Sequence, residues 1–208
     1  MKKIALFDLD HTIISKDCFV ELVLYIIKKK PKTLIYIPYL FLEGIKKVFR
    51  IIDLTKMKSA WLLILKDYDQ ESLAEFSKSF VEKKILKYIK PGFLEEFKKL
   101  KEKGYTTILA TASFEFYAKF IAQYLEFDYF VGTEIEFVDR KIVIRGKNCK
   151  RDEKINRILK LLEINDINNL ESVSFSDSLS DMPYLFLSNK LYIVKRGKWE
   201  VVKTLVSN

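Results

Sequence analysis

The sequence predicts an α/β protein: a parallel sheet with helices on both faces, an inserted helical region and a small β-hairpin. Three observations predict it. A short apolar run stands near the start of the chain, β-rich runs alternate with helical patterns from residue 105 onward, and a long stretch between them has helical periodicity and few strand candidates.

The first strand is read from Ile4, Ala5, Leu6 and Phe7, an apolar run of the kind found in a buried parallel strand. It ends in "FDLDHTII", which places Asp8 and Asp10 two residues apart. Side chains alternate along a strand, so these carboxylates tend to project the same way. Like charges held close together resist ionisation unless a cation sits between them. Asp10, His11 and Thr12 could equally cap a turn, since Asp and Thr are common there. This stretch alone leaves both readings open.

Residues 15–90 read as an inserted helical bundle, from the segments "CFVELVLYIIKK", "LIYIPYLFLEGIKKVFRII", "MKSAWLLILK" and "QESLAEFSKSFVEKKI". "KPG" at 90–92 marks the return, so residues 1–14 and 91–208 are assigned to the main domain. There "YTTILAT" is a strand, "FEFYAKFIAQYL" a helix and "FDYFVGT" another strand. "EIEFVDRKIVI" is a hairpin turning at Asp139-Arg140, although the favoured turn glycine is missing. Ile155, Ile158, Leu159 and Leu162 recur at helical spacing, predicting a helix over 151–164, and the strands "LESVSFSD" and "KLYIVKR" come after it.

Composition excludes several functions. A chain of 208 residues buries a proper core without disulfides, and Cys18 and Cys149 lack metal-ligand spacing, as reduced structural thiols would. His11, the sole histidine, argues against a histidine cluster or a Ser-His-Asp triad. The formal charge of +9 comes from lysines scattered at helical spacing among acids, a solvated face, and no nucleic-acid-binding signature is present. The apolar run of "MKKIALFDLD" breaks at Asp8, too soon for a signal peptide, so a cytoplasmic protein is expected. "TLIYIPYLFL" is the longest uncharged window, about half of what a spanning helix needs, so any membrane contact is expected to be peripheral.

Open α/β sheets bind ligands at the carboxyl ends of their strands. At those ends stand Asp8, Asp10 and Thr12, then Thr111 and Ser113, then Asp177 and Asp181. Lys154 adds a cation early in its helix, where positive charge is unfavourable unless an anion is near. Each residue has an ordinary structural explanation: a strand end for Thr111, a surface lysine for Lys154, a helix cap for Asp177 and Asp181. Their joint occurrence in order along one sheet edge favours a single site.

In that order the residues resemble the haloacid dehalogenase superfamily. "DLDHT" matches its Asp-x-Asp-x-Thr signature, "ILATAS" its second motif, Lys154 its third and "SFSDSLSD" its paired-aspartate fourth, with serines where glycines are often found. The helical insertion after the first motif is similar to the cap of the phosphoserine-phosphatase-like branch. The resemblance implies a Rossmann-like core and a Mg²⁺-dependent phosphomonoester hydrolase working through an aspartyl-phosphate. It implies Asp8 as nucleophile and Asp10 as acid and base. Thr111 or Ser113, with Lys154, would hold phosphate. Metal would be held by Asp8, by Asp10 through its backbone carbonyl, and by Asp177, with Asp181 orienting a water or Lys154. Asp17 falls where that branch places an acid facing a substrate amino group, and it would also cap a helix beginning near Cys18. The expected partner is a small phosphomonoester. A phosphotransferase, or a peripheral membrane-surface or lipid-phosphate-binding protein on the same fold, is the alternative.

Overall fold

The structure, a computed structural model, describes residues 2–139, 141–163, 170–178, 190–195, 199 and 201–206. Strand β1 (Lys2–Phe7) lies in the middle of a sheet ordered β3-β2-β1-β6-β7-β8. The other strands are β2 (Thr106–Phe114), β3 (Tyr129–Thr133), β6 (Leu170–Ser176), β7 (Lys190–Val194) and β8 (Val201–Val206). All neighbouring pairs are parallel except β7 with β8. Strands β4 (Ile135–Val138) and β5 (Lys141–Ile144) form a separate antiparallel hairpin. Its register pairs Val138 with Lys141, and Asp139 reaches φ 46°, so the turn forms without glycine because an aspartate tolerates the left-handed region.

Period-two alternation divides β1 between two cores. Ala5 and Phe7 face one layer, where Phe7 stacks on Phe175 at 4.8 Å and meets Phe93 and Phe97 edge-on. Those two rings come from α5 (Pro91–Glu102). Ile4 and Leu6 face the other layer, against Ile158 and Leu162 of α7 (Asp152–Leu162). Asp8 continues the Ile4–Leu6 row by one step, and Lys154 continues the Ile158–Leu162 stripe by one turn. The two apolar rows thus deliver a carboxylate and an ammonium to the same edge.

Between β1 and α5 run the helices α1 (Cys18–Lys29), α2 (Ile37–Val48), α3 (Leu54–Trp61) and α4 (Gln70–Phe80), joined by short 3-10 and π turns. Helix α1 has the bounds its apolar periodicity predicts, and Asp17 caps it by accepting from the Val20 amide at 3.0 Å. The two crossings into this region run side by side: Ser15 donates to Tyr88 at 2.9 Å, and Lys90 donates to Ile13 at 3.0 Å. Helix α6 (Glu115–Tyr124) comes after β2 and packs on α4 and β3.

The structure departs from the sequence reading in three places. Helix α7 is shorter at both ends than 151–164. Strand β2 continues to Phe114 with an irregularity in its pairing between Ala110 and Phe114, so Thr111 and Ser113 lie inside an irregular strand rather than beyond it. Gly132 allows that bend, because a Cβ there would stand 3.1 Å from the Ser113 carbonyl oxygen. Strand β8 has no counterpart in the sequence reading: the expected series ends at "KLYIVKR", and an antiparallel edge strand needs no long crossover to announce it.

Candidate active site

The chain leaves β1 for β2 and β3 on one side and later places β6 and β7 on the other, so the reversal in strand order falls at β1. Open sheets form their ligand crevice at such a reversal. Pairing of Phe7 with Leu109 and with Phe175 sets Asp8 level with Ala110, where the pairing of β2 becomes irregular, and with Ser176, the last residue of β6. The Asp8 amide donates to the Phe175 carbonyl at 3.0 Å.

Asp8 is buried, and its Oδ1 accepts from Lys154 Nζ at 2.9 Å. Lys154 is 1 % exposed, so this ion pair sits where solvent screening is weak. Thr12 bridges two strand ends: its hydroxyl donates to Asp8 Oδ2 at 3.5 Å, a long contact, and accepts from the Asp177 amide at 2.9 Å. Asp8, Thr12, Lys154 and Asp177 are therefore brought together as their motifs suggest. Asp181 lies outside the described residues.

Asp10 points elsewhere. Its Oδ1 accepts from the Cys18 amide at 2.7 Å, at the start of α1, and its Oδ2 accepts from the Ser113 hydroxyl at 2.7 Å. Burial, and next the charge of Asp17, push its carboxyl above the usual aspartate range; the bonds from Ser113 and Cys18 oppose them. Ser113 spends its hydroxyl hydrogen on Asp10. Thr111 accepts from the Ser113 amide at 3.0 Å, which leaves its own hydroxyl hydrogen to donate. Asp17 is the N-cap of α1.

Two lysines at this edge were not singled out in the sequence, being two among many. Lys58 of α3 reaches across to donate to the Ala112 carbonyl at 2.7 Å and to Asn148 Oδ1 at 2.9 Å. Thr133 donates to the same two acceptors, at 2.7 and 3.0 Å. Burial lowers the Lys58 ammonium to about 8, against the opposing pull of Asp10 and Asp17. Lys90 donates to the carbonyls of His11 and Lys195, tying the loop after β1 to the loop after β7, and burial lowers it to about 8 as well. Lys90 had signalled only a domain boundary, and "KPG" carries no mark of that clamp. His11 itself takes φ 58°, a turn position.

No group of three or more His, Cys, Asp or Glu side chains among the described residues stands ready for a metal. Among the described residues, Thr12 ties the Asp8 carboxylate and the start of the Asp177 segment to one edge, which puts two aspartates there. One or two carboxylates with the remaining positions left to water is the donor chemistry that Mg²⁺ accepts, so the residues fit that ion.

A family model for haloacid dehalogenase-like hydrolases matches residues 5–185. The chain belongs to that family. The match takes in β1 from Ala5 onward, Lys154 and the segment of Asp177 and Asp181. No curated protein matches the chain. Among solved structures, a protein of unknown function from Bordetella pertussis Tohama I superposes with TM-score 0.79 at 19% identity, over 93% of this chain and 90% of that one. A phosphoserine phosphatase solved as a phospho-aspartyl intermediate analogue gives 0.61 at 19% identity, over 93% and 86%. A phosphoserine phosphohydrolase-like protein from Francisella tularensis subsp. tularensis SCHU S4 gives 0.61 at 20%, over 94% and 88%. This haloacid dehalogenase-like hydrolase thus shares its fold with phosphoserine phosphatases.

Proposed function

We propose that the protein is a Mg²⁺-dependent phosphatase that hydrolyses a small phosphomonoester through a phosphorylated Asp8. The observation that carries the proposal is the Asp8–Lys154 pair, 2.9 Å long and buried at the end of the central strand. A nucleophilic carboxylate needs a nearby cation to tolerate an incoming phosphate, and Lys154 supplies one within the protein.

Asp8 attacks phosphorus, forming the carboxylate–phosphorus bond as the ester oxygen departs. Asp10 gives that oxygen its proton, then removes a proton from the water that hydrolyses the aspartyl-phosphate, returning both groups to their starting states. Lys154 and the Thr111 hydroxyl hold the phosphoryl oxygens, while Ser113 and the Cys18 amide orient Asp10. Asp8, the Asp10 carbonyl and Asp177 would hold Mg²⁺, which when bound offsets the repulsion between nucleophile and phosphate. Residues 15–90 act as a cap, entered and left through the paired crossings at 13–15 and 88–90, and set the leaving group. Asp17, so near Asp10, is the candidate contact for a substrate amine, in addition to capping α1. Free, buried Cys18 and Cys149 suit a reducing cytoplasm.

The test is a phosphate-release screen against a broad panel of phosphomonoesters with Mg²⁺, for wild type and Asp8→Asn. Turnover of at least one small ester by wild type alone supports the proposal; equal rates for the two proteins refute it.

A further inference from the structure

The exposed apolar surface is concentrated in one place. Among the described residues sixteen large apolar side chains are exposed, and nine of them fall between Leu34 and Ile51. Helix α2 buries only Leu40 and Glu43. Phe41, Leu42, Ile45, Val48 and Phe49 recur every three or four residues on its open side, and Ile35, just before it, is 76 % exposed. A helix this apolar is ordinarily covered. No described helix is long and apolar enough to cross a membrane.

The charge around this face selects its occupant. Residues 28–50 carry seven basic side chains, Lys28, Lys29, Lys30, Lys32, Lys46, Lys47 and Arg50, against one acid. That acid, Glu43, is buried and paired with Lys46. A second copy of the chain would bring two strongly basic faces together, which opposes self-association. An anionic bilayer instead supplies what both parts of the face lack: an apolar layer for Ile35, Phe41 and Phe49, and negative headgroups for the lysines around them.

We propose that the 3-10 turn at Pro31–Tyr36 and α2 form a peripheral docking surface for anionic lipid bilayers, lying in the headgroup layer with the flanking lysines toward lipid phosphates. The surface is separate from the Asp8 edge, so the inference stands or falls independently of the proposed hydrolysis.

The test is flotation of the purified chain with vesicles of phosphatidylcholine alone and of equal parts phosphatidylcholine and phosphatidylglycerol. Binding should be roughly tenfold or more tighter to the anionic vesicles and should weaken by a similar factor in high salt. Ile35→Ser with Phe49→Ser, and separately Lys47→Glu with Arg50→Glu, should each weaken anionic-vesicle binding about tenfold while melting temperature and monomeric state stay at wild-type values. Equal partition onto both vesicle types would overturn the proposal. So would wild-type binding by both folded variants, or a wild-type dimer in solution that the Ile35→Ser, Phe49→Ser variant converts to monomer.

Discussion

Asp8 and Asp10 are two residues apart but occupy different electrostatic surroundings, and the proposed mechanism depends on that difference. Asp8 faces an ammonium, whereas Asp10 faces a hydroxyl and an amide in a desolvated setting that raises its carboxyl. Asp10→Asn should therefore impair mainly the protonation of the leaving group. Its loss in kcat should be about 10²-fold or more for an alkyl phosphate and markedly smaller for p-nitrophenyl phosphate, whose leaving group needs little protonation. Equal losses on both esters would remove Asp10 from the acid role. Ser113→Ala takes away one of the two donors on Asp10 and should lower kcat with little change in KM, since Ser113 acts through Asp10. A rise in KM alone would instead make Ser113 a phosphate ligand. "ATAS" shows two hydroxyl residues at the right place and cannot show which turns toward Asp10, because that depends on the irregular pairing of β2.

At the scale of elements, α1 and β1 were legible because each pairs a clear period with a clear stop: the cap at Asp17 for one and the carboxylates for the other. Strand β8 was not, since "VVKTLV" is defined by its pairing with β7 rather than by any local signal. The link from α3 to the main sheet was equally hidden, because Lys58 is identified by its acceptors and not by its neighbours in sequence. That link makes a pH prediction. The folded state holds the Lys58 ammonium at about 8 against an ordinary 10.5, so between those values the unfolded chain keeps a proton that the folded one has released. Stability therefore rises with pH across that window, by about 3 kcal/mol at most, as the cost of burying the charge is relieved. Lys58→Met has no such charge. Its melting temperature, subtracted from that of wild type at each pH, should show wild type gaining from pH 8 to 10.5. A flat difference would mean that the ammonium is not buried as described.

For the whole molecule, the order of strands and the order of motifs carry the same information: a central β1 brings Asp8 level with the start of the irregular stretch of β2 and with the end of β6. That is why the site could be located in the sequence from the polar residues at the end of each strand, while the direction in which each side chain points could not. The acids gathered at that edge should make stability depend on a divalent cation. Mg²⁺ should raise the melting temperature by a few degrees over chelator, and chelator should abolish turnover. Ca²⁺ should raise the melting temperature yet support little turnover, because its larger and looser shell spoils alignment at Asp8. Indifference of both readouts to chelation would leave the acids as structural caps.

The most direct measurement is mass spectrometry of the peptide bearing Asp8 after acid quench of the enzyme turning over p-nitrophenyl phosphate with Mg²⁺. The account predicts a phosphoryl adduct on Asp8 that hydroxylamine removes and that is absent from Asp8→Asn. An adduct on any other residue, or undiminished turnover by Asp8→Asn, would contradict it.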